Sequence, residues 1–372
     1  MIKKLWYGLL ALLLAGGGAA ILNRMVGGLA TTNLSSVMPW GAWVAFYIYF
    51  VGLSAGAFLL STLVYVFGME RFERVGKMAL LAALVSMIVA LTFIGLDLGR
   101  MDRALSPLLF FNWLSPLAWE VRFYVIYILL LGAELWLAVR QPQSPWLRSL
   151  GIIGLPVAVF GVHGGTGTIF AVVKARGLWF GPLAPVVFIV SALVSGTALL
   201  TVMYVVRQRG RRLPVDGDLV AGLGKLLIGF LLVDIGLMFY EFLIPGLSMN
   251  PHEGEVIGAM TGGRMAWSFW IVQIGMGMAA PAVILLSGLR RSWGWVAAAA
   301  ALVVVGIAGV RFNIVVPALI PPVLPGLPRG DYAPTFIEWA ASAGVIALGL
   351  LLFSLAAEKL PLDRMGGAEH VR

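Results

Sequence analysis

From Leu5 onward the chain is built of long apolar runs separated by shorter polar breaks. A helical run of about 20 apolar residues crosses a hydrocarbon core of ~30 Å. Ten such runs occur, at residues 5–22, 40–67, 77–96, 119–139, 147–169, 182–206, 222–244, 266–289, 293–312 and 335–356. The pattern predicts an all-α, polytopic membrane protein with about ten transmembrane helices in a single integral domain, residues 1–372. The first run, MIKKLWYGLLALLLAGGGAA, also has the basic start, apolar middle and small residues of a signal peptide. It is read here as a retained spanning helix.

The breaks alternate in length. Those at 23–39, 97–118, 170–181, 245–265 and 313–334 are long and hold Pro, Trp and Asn instead of having Gly/Ser linker composition, which is expected of a docking surface. Composition agrees with a membrane protein: 60% of residues are hydrophobic and 12% charged, and mean hydropathy is +0.97. A net charge of +9 raises the question of nucleic acid, but no basic, aromatic-interleaved soluble domain is present to bind it. The cations are topology signals instead. Seventeen of the 26 Lys and Arg fall at the N-terminus, in the short breaks or in the C-terminal tail, among them Lys3, Lys4, Arg71, Arg74, Arg207, Arg209, Arg290, Arg364 and Arg372. That asymmetry predicts both termini in the cytoplasm and the long loops outside.

The chain also resembles itself. A shift of 139 aligns Trp40, Thr62 and Tyr65 with Trp179, Thr201 and Tyr204, and a shift of 148 aligns VGKMALLAALV (75–85) with LGKLLIGFLLV (223–233). Helices two to five (40–169) and six to nine (182–312) are thus expected to form two parallel four-helix bundles, with peripheral helices at 5–22 and 335–356. Small residues such as Gly52, Ser54, Ala55 and Gly56 permit close helix packing.

An ionisable group within the bilayer costs at least ~2.5 kcal/mol on insertion scales, so such groups are usually paired and often functional. Most of those bordering the apolar runs gather toward the outer ends: Asp97 and Arg100 in GLDLGRMDR, Glu120 and Arg122, His163, Glu241 above the deeper Asp234, Arg311 and Glu338. Glu134 and Glu358 lie near inner ends, where a side chain can snorkel to water. Asp97 with Arg100, and Glu120 with Arg122, are also the residues that would simply cap helix ends. No cysteine is present, which excludes disulfides, thiol catalysis and an iron–sulfur cluster held by this chain. With only His163, His252 and His370, two axial haem ligands on facing helices are hard to supply, so no intrinsic haem and no metal site is expected.

Several motifs then carry a resemblance over nearly the whole chain. MPWGAWVAF, DLGR followed by FFNWLSPLAWE with Tyr124 and Tyr127, HGGTG around His163, and VRFN with DYAPTFIEW resemble, in order and spacing, the NrfD or polysulphide-reductase membrane-subunit family. Within it they resemble the ten-helix branch that includes the membrane subunit of periplasmic nickel–iron hydrogenases. The resemblance implies a subunit in the cytoplasmic (inner) membrane of a prokaryote. It would bind a quinone, menaquinone or ubiquinone, near the outer face and exchange electrons with a ferredoxin-like iron–sulfur subunit that serves a molybdenum-type or nickel–iron catalytic subunit. Membrane lipid would be the remaining partner.

Quinone chemistry moves two electrons and two protons, so it needs hydrogen-bond partners for two oxygens and a titratable group. His163 is the candidate for that group, because a free imidazole titrates near neutrality. Asp97 and Glu120 would pass protons, Arg100 or Arg122 would hold them ionised and polarise a quinone oxygen, and Trp119, Tyr124 and Tyr127 would wall the ring. Asp234, Glu241, Arg311 and Glu338 complete the candidate set. Parallel repeats with mid-membrane charge also describe a secondary transporter or a proton channel. Proton pumping through Asp234 and Glu241 is a second alternative and a plain membrane anchor a third. Against pumping, the repeat position matching Asp234 holds Ser86, and no acidic ladder is evident toward the cytoplasmic side.

Overall fold

A computed structural model describes residues 2–362. Arg364, His370 and Arg372, placed above in the C-terminal tail, lie outside the described residues. Among those described, no strand occurs and ten helices are long and apolar enough to cross a membrane: α1 (Lys3–Thr31), α2 (Ala42–Tyr65), α3 (Glu70–Asp97), α4 (Pro116–Arg140), α5 (Pro145–Ala171), α6 (Ala184–Gly210), α7 (Gly217–Leu247), α8 (Ser268–Leu286), α9 (Trp293–Leu319) and α10 (Phe336–Lys359). The connections preceding α2, α4, α6, α8 and α10 are long and share one side of the helix array, the long-loop side. Those preceding α3, α5, α7 and α9 are short.

Local chemistry sets the helix ends. α4 starts where Ser115 accepts from the Ala118 amide and Pro116 takes the first helical turn, a position at which its missing N–H costs nothing. α7 begins earlier than its apolar run because the Asp216 side chain accepts from the amides of Asp218 and Leu219, while Arg74 holds the same carboxylate at 2.8 Å. Thr335 and Glu338 form a reciprocal capping box at the start of α10. Two spans leave regular α geometry. α5 winds as a π-helix over Val157–His163, directly after Pro156, and α8 does so over Ser268–Ala279. Such wide turns concentrate at functional sites.

Burial ranks the helices. The most apolar window of α2 is 89% buried and that of α1 only 17%, so α2 is central and α1 peripheral. α2 packs on α3, α5, α6 and α9, α4 packs on α3 and α5, and α6 packs on α7 and α9, while α1 lies against α10, which in turn leans on α3. The crossing of α2 and α6 is closer than side chains allow: a Cβ added to Gly56 would collide with the Ala192 carbonyl, and one added to Gly196 with the Gly56 backbone. Glycine at both positions is what lets the backbones meet. At the long-loop ends of the same two helices Trp40 stacks on Trp179, centroids 5.4 Å apart. These are the two tryptophans that the internal repeat aligns.

Buried polar groups tie the periphery down. Arg24 of α1 donates to the carbonyls of Leu96 (3.1 Å) and Leu98 (2.8 Å) at the end of α3. At the other end of α1, Lys3 and Tyr7 donate to the exposed Glu358 at 2.9 and 2.7 Å. Glu134 behaves differently from the snorkelling expected of it. It is 1% exposed and packs toward Gly154 of α5, because it falls on the inward face of α4 and has no path along the helix to the headgroups.

Candidate functional site

Of the polar groups buried within the helix array, three have walls to which α5 contributes. The first centres on Glu120. On α4, Tyr124 lies one turn beyond it, the i,i+4 spacing that stacks side chains on one helix face, and donates to Glu120 Oε1 at 2.7 Å. Thr166 of α5 donates to the same oxygen at 2.6 Å and Tyr47 of α2 to Oε2 at 2.9 Å. The hydroxyls also meet one another, Tyr47 with Tyr124 at 2.6 Å and Tyr124 with Thr166 at 3.0 Å. A further turn along, Tyr127 donates to the Ser54 carbonyl at 3.1 Å and closes edge-on against Phe58. Each hydroxyl is satisfied, as burial demands.

The second group lies between α5, α6 and α9. Arg311 is fully buried and places Nη2 3.4 Å from His163 Nε2, with its guanidinium 4.6 Å from the Phe188 ring centroid, within cation–π range. Gly52 of α2 makes the room: a Cβ there would come within 3.1 Å of the imidazole and 3.6 Å of the guanidinium. His163 Nδ1 and Arg311 Nε and Nη1 have no hydrogen-bond partner.

The third group forms the polar wall of a cleft enclosed by α5, α6, α7, α8 and α9. Its lining is mostly apolar and includes the aromatic and thioether side chains of Phe170, Trp179, Phe188, Met238, Phe242 and Met260. Asp234, Glu241, Gln273 and Asn313 supply the rest of the chemistry, together with Ser191. Asn313 Nδ2 donates to Gln273 Oε1 at 2.7 Å and Gln273 Nε2 contacts Met238 Sδ at 3.1 Å. Both Asp234 oxygens and Asn313 Oδ1 are buried without a donor. Arg311 lies within electrostatic reach of Asp234 and Glu241 but forms no ion pair with either. An apolar cleft with a few convergent polar atoms is the usual form of a small-molecule site, and a buried acceptor left without a donor is costly. Among the described residues no cluster of His, Asp and Glu is arranged to hold a metal ion.

The other candidate residues are elsewhere. Asp97 ends α3 beside Arg24 and shares no contact with His163. Arg100 pairs with the exposed Asp102 at 2.8 Å, which holds that carboxyl below the usual carboxylate range. Arg122 donates to the carbonyls of Pro107, Leu108 and Ala118 and lies over Phe111, so it braces the 98–115 loop rather than Glu120. Trp119 is partly exposed, bonds the Trp113 carbonyl and stacks among the aromatics of that loop. Glu338 accepts from Tyr332 and from the amides of Asn33 and Thr335, a fastening of α10. Tyr47, Thr166, Gln273 and Asn313 were missed by sequence reasoning. Thr166 lies within HGGTG, one turn from His163, and that spacing was its one available signal.

The fold is that of a polytopic membrane protein with buried polar groups between its helices. Residues 30–322 match the family described as polysulphide reductase, NrfD, and the chain belongs to that family. It is 38% identical to a selenate reductase subunit of Mesobacillus selenatarsenatis, over 97% of this chain and 95% of that one. It is 28% identical to the Hdr-like menaquinol oxidoreductase integral membrane subunit of Archaeoglobus fulgidus, over 95% and 91%. With a polysulfide reductase chain of Wolinella succinogenes it shares 27% identity over 79% of this chain and 97% of the other.

Proposed function

We propose that the chain is the quinol-binding membrane subunit of a respiratory oxidoreductase complex and that quinol chemistry takes place in the cleft at Asp234. The observation that carries this reading is the set of unpartnered buried acceptors, Asp234 Oδ1 and Oδ2 and Asn313 Oδ1, in an aromatic-lined cleft. Menaquinol or ubiquinol presents two hydroxyl donors on an aromatic ring, which fits that wall. The relatives named for menaquinol, selenate and polysulfide oxidoreduction support the same class.

Oxidation of one quinol releases two electrons and two protons. The electrons leave for a ferredoxin-like iron–sulfur subunit on the long-loop side, which passes them to a catalytic subunit of molybdenum or nickel–iron type. Asp234 takes the first hydroxyl proton and Glu241, two turns further along α7 toward the long-loop side and also lining the cleft, takes the second. Asn313 orients the ring through its Oδ1. Arg311 lowers the cost of a carboxylate at Asp234, and His163 positions Arg311 from behind. Glu120, with Tyr47, Tyr124 and Thr166, lies behind His163 and keeps this part of α5 in place. By this reading Arg100, Arg122, Trp119, Asp97 and Glu338 serve assembly of the long-loop side. The subunit lies in the cytoplasmic membrane with both termini inside, and helices α2–α5 and α6–α9 act as two bundles joined at the Gly56–Gly196 crossing.

The test is Asp234→Asn in the assembled complex. Quinol turnover should fall ~10²-fold or more, the scale of a lost acid–base group, while turnover of an artificial dye by the catalytic partner persists. Near-normal quinol turnover in this variant would remove Asp234 from the reaction.

A further inference from the structure

The cleft is covered unevenly, and the thinnest part of its wall bears on the rest of the ligand. On the long-loop side it is covered: the helix Pro251–Thr261 lies across it, with Val256 and Met260 1% and 2% exposed. Sideways the covering is thinner. α7 packs on α8 chiefly along Ala280–Leu286, the half of α8 nearer the short loops. Over the π-helical half, Ser268–Ala279, the two helices separate and meet through side-chain tips: Phe242 edge-on to Phe269 at 5.3 Å, and Gln273 against Met238 at 3.1 Å. Outside this seam Phe239, Trp270 and Ile271 are 58%, 54% and 61% exposed and face the position of the acyl chains. On its inner side lie Asp234 and Asn313.

We infer that the seam between α7 and α8 is a lateral portal that holds the prenyl tail of a long-chain quinol while the ring lies against Asp234. The inference rests on the quinol reading above and extends it to the tail. The seam is lined by groups that suit an unsaturated hydrocarbon tail: two phenyl rings and a thioether, the most adaptable of apolar side chains. A polar ligand arriving from water would have to displace the Pro251–Thr261 helix. A ligand dissolved in the membrane needs only Phe242 and Phe269 to change rotamer, a ps–ns event for exposed side chains that is slower in packed ones. The wide turn of α8 also keeps its backbone off α7, and without that separation the two helices would close along their full length. The portal thus selects for a tailed, membrane-resident quinol over a free aromatic diol.

The chain lacks cysteine, so an introduced pair is unique within it. The full-length chain in nanodiscs is incubated with a menaquinone whose tail carries a terminal diazirine, irradiated, digested and sequenced by mass spectrometry. Labels should fall on α7 and α8 around Phe242 and Phe269. In parallel, the F242C/F269C variant is bridged with a bis-methanethiosulfonate reagent and its bound quinone is extracted and quantified. Bridging should cut retention of the long-tailed quinone at least tenfold more than that of tail-less menadione, and reducing the bridge should restore it. Labels on other helices, or equal losses for the two quinones, would overturn the portal while leaving the cleft reading intact. Failure of the unmodified protein to retain either quinone would overturn both.

Discussion

Replacing Glu120 by Gln and by Ala separates two explanations of why a carboxyl is held so deep in the array. Three hydroxyls converge on it: Tyr124 and Thr166 on Oε1 at 2.7 and 2.6 Å, and Tyr47 on Oε2 at 2.9 Å. In Glu120→Gln the amide oxygen takes the place of Oε1 and keeps its two donors. The new NH2 then donates to the Tyr47 oxygen, and the Tyr47 proton turns to Tyr124, already 2.6 Å away. Every polar atom stays satisfied, so the cost should be about 1 kcal/mol or less, the net value of a rearranged hydrogen bond. Glu120→Ala also leaves no donor stranded, because Tyr47 can donate to Tyr124, Tyr124 to Thr166, and Thr166 to the Val162 carbonyl at 2.9 Å. It does leave a void where the packed side chain was, and truncations of that size in a tight core cost about 2–5 kcal/mol. At roughly 2 °C per kcal/mol for a chain of this length, the Gln variant should melt within about 2 °C of the parent and the Ala variant about 4–10 °C below it. Thermal melting of the purified protein in detergent, followed by size-exclusion fluorescence, reads both. A Gln variant that melts as low as the Ala variant would refute the reasoning, since it would mean that the negative charge, and not the packing of a satisfied network, holds α2, α4 and α5 together there.

Two shorter predictions concern orientation and cofactors. A reporter fused after Arg209 should score cytoplasmic and one inserted near Asn250 periplasmic; the opposite pattern would invert the long-loop side and move the partner with it. The chain purified alone should show no Soret absorption and no bound iron, and a stoichiometric b-type spectrum would reverse the argument from its three histidines.

The spans were legible because twenty apolar residues in succession have few other fates, and their ends shifted where a cap acted at a distance from the apolar run. Asp216 shows this: its side chain starts α7 five residues before the expected boundary of 222. Side-chain partners were less legible. Glu120 with Tyr124 is a helical spacing and could be read from one helix. Glu120 with Arg122 is not, since residues two apart point to opposite sides, and the structure accordingly turns Arg122 to the loop carbonyls. Asp97 and His163 share a depth, but depth says nothing of rotation about the helix axis. Arg24, on a helix the sequence placed at the periphery, takes the position beside Asp97. Tyr47, Gln273 and Asn313 lie in apolar stretches of three different helices, and only the packing of those helices brings them to their partners.

The turn of α5 that ends at His163 explains how the first two polar groups come to lie back to back. His163 and Thr166 are three residues apart, near one another on the same face, yet His163 contacts Arg311 of α9 and Thr166 contacts Glu120 of α4. A regular α-helix through Pro156 would lose the hydrogen bond its ring cannot donate and push that ring against the preceding turn. The π turns of Val157–His163 follow directly on that proline and widen the backbone beyond it. They also rotate everything downstream relative to the first half of the span, so the face that carries Gly151 and Gly154 toward Glu134 is no longer the face that carries His163 and Thr166. One irregular segment therefore lets a single helix present small residues to α4 at one depth and polar residues to α4 and α9 at another. The corresponding irregularity in α8 carries Gln273 to Asn313. In both helices the departure from α geometry falls where a polar side chain has to be aimed into the array, and it is there that apolar periodicity gives the least guidance.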